Sequence, residues 1–67
     1  MNNYDDWLEE VCAEIKRRFG STVSPAQLED ALADEPRDMY ENGETPKLYV
    51  EGAYLEYGEE FWVPMDL

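Results

Sequence analysis

The sequence predicts a mainly α fold, a small single domain of three to four short helices. Three observations carry this reading. Apolar residues recur at three- and four-residue steps through the first third of the chain. Capping and stop residues punctuate it at helical intervals. Its 67 residues leave room for one core, so 1–67 reads as a single acidic domain. An α+β alternative, two N-terminal helices followed by a C-terminal β-hairpin or three-stranded meander, stays open because the last third reads both ways.

Tyr4, Trp7, Leu8, Val11, Cys12, Ile15 and Phe19 fall on one helical stripe, which predicts a first helix. Asn3 is its expected N-cap, and Asp5 and Asp6 favour the positive end of its dipole. Lys16, Arg17 and Arg18 favour the negative end, and Gly20 comes next as the stop. A second start is written as Val23-Ser24-Pro25-Ala26-Gln27-Leu28. Ser24 caps, Pro25 takes the first helical position, Gln27 closes a capping box and Val23 staples onto Leu28. This helix should run to about Ala33 with Leu28, Ala31 and Leu32 inward. Pro36 then opens a further turn or two through Arg37, Met39 and Tyr40, ending at Asn42-Gly43.

Beyond Gly43, Thr45-Pro46 resembles another cap and first position, yet Gly52 interrupts the helix that would start there. In the helical version Leu48, Val50, Ala53, Tyr54 and Tyr57 pack inward and Gly58 terminates. In the strand version Lys47 to Val50 and Ala53 to Tyr57 pair across a Glu51-Gly52 turn. Phe61-Trp62-Val63 then adds a third strand before Pro64. Tyr and Val favour strands locally, whereas the Thr-Pro start and Gly58 tip the reading towards helix.

Seventeen Asp and Glu against five Lys and Arg, with no His, give a formal charge of −12. Such a field opposes direct contact with nucleic acid or anionic lipid. An aromatic content of 13% argues for a packed core rather than an acidic disordered tail. No apolar run approaches a membrane span and the start lacks a signal-peptide plan, so a cytoplasmic chain is expected.

Catalysis is poorly provided for: there is no His, no second Cys and no nucleophile elbow around Ser21 or Ser24. No catalytic residue, metal ligand or cofactor is assigned. Cys12 shares the apolar stripe with Leu8 and Ile15, as a core residue would. Asp38 to Gly43 superficially resembles the start of a calcium loop, but Tyr40 falls at the third ligand position and Tyr49 at the twelfth.

Charge placement is the informative feature. Asp5, Asp6, Glu9, Glu10 and Glu14 are expected opposite the apolar stripe, with Asp6, Glu10 and Glu14 in successive i,i+4 contact. Glu29, Asp30, Asp34, Glu35, Asp38, Glu41 and Glu44 extend the acidity into the next segment. Carboxylates about 5–6 Å apart on a rigid helix imitate the regular charge of a nucleic-acid backbone. The expectation is a DNA mimic whose acidic face occupies a basic DNA-binding surface on a protein partner.

The stretch Asp6-Trp7-Leu8-Glu9-Glu10-Val11 leading to Arg18-Phe19-Gly20, and then Met39-Tyr40-Glu41-Asn42-Gly43-Glu44-Thr45-Pro46, resembles small acidic proteins encoded by bacteriophages and other mobile elements. Those of this size and charge include DNA-mimic inhibitors of restriction enzymes and anti-CRISPR proteins. The resemblance implies inhibition of a host defence complex, a CRISPR effector or restriction enzyme, by blocking its DNA or PAM-reading site; a monomer in the cytoplasm of an infected bacterium is expected.

A rival expectation is a non-enzymatic interaction module docking through a C-terminal aromatic patch of Tyr49, Tyr54, Tyr57, Phe61 and Trp62. Salt separates the two, since mimicry weakens with ionic strength and aromatic docking persists.

Overall fold

The computed structural model describes residues 3–63. The first helix, α1 (Tyr4–Phe19), runs between the predicted ends. The Asn3 side chain accepts a hydrogen bond from the Asp6 amide at 2.8 Å. Gly20 adopts φ 76°, a left-handed conformation that costs a glycine little, and donates its N–H to the Lys16 carbonyl. Trp7, Leu8, Val11 and Ile15 are buried along one stripe.

The second helix, α2 (Pro25–Leu32), starts where Ser24 and Pro25 place it. Ser24 Oγ accepts from the Gln27 amide at 3.1 Å. The expected capping box is completed differently, because the Gln27 side chain donates to the Trp62 carbonyl instead. Ser24 is exposed and its own N–H has water available, whereas the Trp62 peptide is carried onto the core by a buried ring. Leu28 is fully buried and Ala31 and Leu32 are half-buried. Val23 joins the same core as Leu28, as a staple would.

Ala33 ends α2 at φ 56° and ψ −122°, a conformation that sets a β-carbon against the backbone. The next helix, α3 (Glu35–Glu41), has buried Pro36 in its first turn and no side-chain cap from Asp34. The stretch that resembled a calcium loop is therefore the end of a helix, closed by a turn at Asn42 and Gly43.

The helical version holds for the last element, α4 (Pro46–Tyr57), and no strand occurs among the described residues. Thr45 Oγ1 accepts from the Leu48 amide and Gly58 stops the helix. The inward face differs from expectation. Tyr49, Val50 and Ala53 are buried, while Leu48, Tyr54 and Tyr57 are exposed. Leu48 stands two residues from Val50, about 200° around the helix, and cannot share its face. Gly52 is exposed on the outer side, so its helix penalty of about 1 kcal/mol falls where no packing is lost.

Phe61 and Trp62 form a turn folded onto the core rather than a third strand. Pro64, the stop in the strand alternative, lies outside the described residues.

Helix α1 packs against the other three, most extensively against α4. One end of the core holds Trp7 between Tyr40 and Tyr49, at centroid distances of 6.0 and 5.4 Å. The other end holds Phe19 against Trp62 at 5.0 Å and Tyr54 at 5.4 Å. The Trp7 indole N–H donates to the Glu44 carbonyl at 2.8 Å, tying α1 to the α3–α4 turn. Cys12 is half-buried against the core, where burial and then the nearby Glu9 charge push its thiol up. That environment suits a packing residue and disfavours a thiolate. No described helix is long and apolar enough to cross a membrane.

Candidate functional site

The outer face of α1 is acidic in its first half and basic in its last turn, matching the helix dipole. Asp5, Asp6, Glu9 and Glu10 are all exposed there. Glu14 departs from the expected row. It is 8% exposed and held by two cations of its own helix, Arg17 Nη2 on Oε1 and Arg18 Nε on Oε2 at 2.8 Å. These hydrogen bonds, with the two positive charges behind them, hold its carboxyl below the ordinary range.

The reason is angular. Glu14 comes seven residues after Trp7, two helical turns, and so lies only about 20° from it. The i,i+4 rule placed Glu14 beside Glu10, while its distance from buried Trp7 carried the stronger signal. Pairing with Glu14 also offsets part of the positive charge on Arg17 and Arg18, which softens the basic interruption.

The acidic end of α1 meets the α2–α3 segment at Tyr4. The Tyr4 hydroxyl donates to Glu29 Oε2 at 3.3 Å, and the Arg37 guanidinium lies 4.5 Å from its ring centroid. Burial, then the Glu29 carboxylate, raises the Tyr4 phenol. At this junction Glu29 and Asp34 stand close enough to Tyr4 for their charges to act on its phenol. Glu29, Asp30, Asp34, Asp38 and Glu41 are exposed.

Glu35 and Glu44 are half-buried. Glu35 accepts from the Tyr49 hydroxyl at 3.4 Å and from the Tyr57 hydroxyl at 2.8 Å, tying α3 to α4. Of the twelve carboxylates expected to act together, nine thus face solvent, Glu14 and Glu35 are engaged by other side chains, and Glu44 is half-buried where its backbone carbonyl accepts from Trp7.

Four further exposed carboxylates, Glu51, Glu56, Glu59 and Glu60, were left out of the expected face. Glu51 and Glu56 are turned outward by the helical pattern of α4, which the open choice between helix and hairpin obscured, and Glu59 and Glu60 lie in the turn that follows Gly58. A groove of about 320 Å³ between α1 and the start of α4 mixes charges, with Asp6 and Glu10 facing Lys47 and Arg17. Among the described residues no three candidate ligands come together to hold a metal ion. No family model, curated protein or solved structure matches this chain.

Proposed function

We propose that this protein is a non-catalytic inhibitor of a host DNA-binding defence complex, of the anti-CRISPR or anti-restriction kind, acting by DNA mimicry. Its exposed acidic face occupies a basic DNA- or PAM-binding site, in the cytoplasm of an infected bacterium. The observation that carries this reading is charge density on a rigid scaffold. Asp5, Asp6, Glu9 and Glu10 are exposed within six consecutive helical residues. At 1.5 Å of rise each, that is roughly one charge per 2 Å, against about one per 1.7 Å of duplex axis.

The molecule's longest dimension, 36 Å, matches about one turn of B-DNA. Over that length 13 carboxylates are exposed among the described residues, where duplex presents roughly 20 phosphates. Acting as a mimic, the protein would compete for the Lys and Arg that normally displace phosphate counterions, so association is fast and salt-sensitive. The rival aromatic patch loses support, because Tyr49, Phe61 and Trp62 are buried.

The test is phage plating on bacteria carrying individual restriction or CRISPR systems. Expression of the protein restores plaques against a susceptible system, and Asp6→Lys with Glu10→Lys abolishes the rescue while far-UV circular dichroism stays unchanged. Undiminished rescue by the folded double variant would overturn the assignment of this face.

A further inference from the structure

Asn42 and Gly43 close α3 with a main-chain pattern that holds a reactive pair apart. Gly43 N–H donates to the Tyr40 carbonyl at 3.1 Å and Glu44 N–H to the Met39 carbonyl at 3.0 Å, with Gly43 at φ 83°. These two bonds and the left-handed glycine make a Schellman cap. Both residues of the pair are exposed, and a β-carbon at Gly43 would meet nothing within 4 Å. The Asn42 amide is thus open to water, and no side chain shields the Gly43 nitrogen. The inhibitory reading makes no use of either residue.

An asparagine before glycine is prone to ring closure, because the following residue has no side chain to obstruct attack by its nitrogen. Closure needs that nitrogen on the Cβ side of the Asn42 Cα–C bond. At ψ −2° it instead eclipses the nitrogen of Asn42 itself, one tetrahedral position away from Cβ. Its N–H is also held by the Tyr40 carbonyl. Turning the peptide into reach breaks both cap bonds, which lie at an exposed helix end rather than in the core. Such a local opening costs far less than global unfolding.

We propose that Asn42-Gly43 is a site of spontaneous deamidation in the folded protein, gated by local opening of the α3 cap. The Gly43 nitrogen gives up its proton and bonds to Asn42 Cγ. The Cγ–Nδ2 bond breaks, and ammonia leaves with that proton. Water then cleaves the cyclic imide at either carbonyl carbon, its hydroxyl joining the carbon and its hydrogen returning to the Gly43 nitrogen. Cleavage at the main-chain carbonyl leaves isoaspartate, and cleavage at Cγ leaves aspartate. Either product adds one negative charge to a chain already at −12, between Glu41 and Glu44. Isoaspartate also lengthens the main chain by one carbon inside the cap, so the two cap bonds cannot both re-form.

The experiment incubates the full chain over weeks in native buffer, in sub-denaturing urea and in unfolding urea, with conversion at Asn42 followed by peptide mass spectrometry. Conversion in native buffer is expected, about thirtyfold slower than in the unfolded chain, the cost of two main-chain hydrogen bonds in the cap. Sub-denaturing urea leaves the folded rate nearly unchanged, because opening the cap exposes little surface. The purified isoaspartyl product melts about 4–8 °C below the parent. No conversion in native buffer would overturn the proposal, as would a folded rate equal to the unfolded one. A folded rate that climbs with urea as unfolding does, or an isoaspartyl product as stable as the parent, would overturn the gating by the cap.

Discussion

Replacing Trp7 with alanine should unfold most of the molecule. The ring is 7% exposed and touches Tyr4, Tyr40 and Tyr49, so it joins α1 to α3 and α4. Removing a buried Trp side chain costs about 3–5 kcal/mol. The Glu44 carbonyl also loses its donor, an added cost of about 1 kcal/mol at a half-buried site. Against a total of about 3–10 kcal/mol for a domain this size, the loss consumes half or more of the stability. Trp7→Phe keeps most of the ring and removes the N–H, so a smaller loss of about 1–2 kcal/mol is expected. Thermal unfolding monitored by far-UV circular dichroism reads both, since about 1 kcal/mol shifts the melting temperature by roughly 4–8 °C here. A Trp7→Ala protein that melts with the parent would show that the core is not organised around this ring.

The Glu14 carboxyl is held below its ordinary value of 4.5 chiefly by hydrogen bonds from Arg17 and Arg18. A depressed folded value means that its stabilisation is complete above pH 4.5 and fades as pH falls through the folded value. Glu14→Gln should cost about 0.5–1 kcal/mol at neutral pH and flatten that acid limb in urea titrations across pH. At the alkaline side Tyr49 is raised above 10.0, first by burial and then by Glu35. Its contribution is present below pH 10.0 and is lost as the pH rises further, so Tyr49→Phe should make the alkaline fall in stability shallower. Ala33→Gly should stabilise the protein by about 1 kcal/mol, because glycine takes φ 56° without the β-carbon clash; an unchanged melting temperature would contradict this.

Much of the architecture could be read from residues that act locally. Asn3, Ser24 and Thr45 each accept the amide expected of a cap, and Gly20 and Gly58 stop their helices, because these interactions lie within one turn of sequence. The Tyr4 to Phe19 stripe was equally plain, since its apolar and charged residues separate cleanly around the helix. Helix α4 was less so: Leu48 and Leu55 point outward while Tyr49, Val50 and Ala53 point inward, so its pattern is apolar on two sides. Gly52 and the local abundance of Tyr and Val then pulled the reading towards strands. The acidic face was legible wherever helix angle alone determines exposure, as for Asp5, Asp6, Glu9 and Glu10. It was obscured where tertiary partners decide. Glu35 is captured by hydroxyls 14 and 22 residues away, a pairing that no local pattern encodes.

The central claim is that the exposed carboxylates stand in for duplex phosphates. Its most direct test is capture of a target by the immobilised protein from lysate of a bacterium carrying restriction and CRISPR systems, with elution by duplex DNA or by rising salt. The account predicts that a DNA-binding complex is retained at low salt, is released by both eluents, and is not retained by the Asp6→Lys and Glu10→Lys variant. A retained partner that ignores both DNA and salt would contradict it.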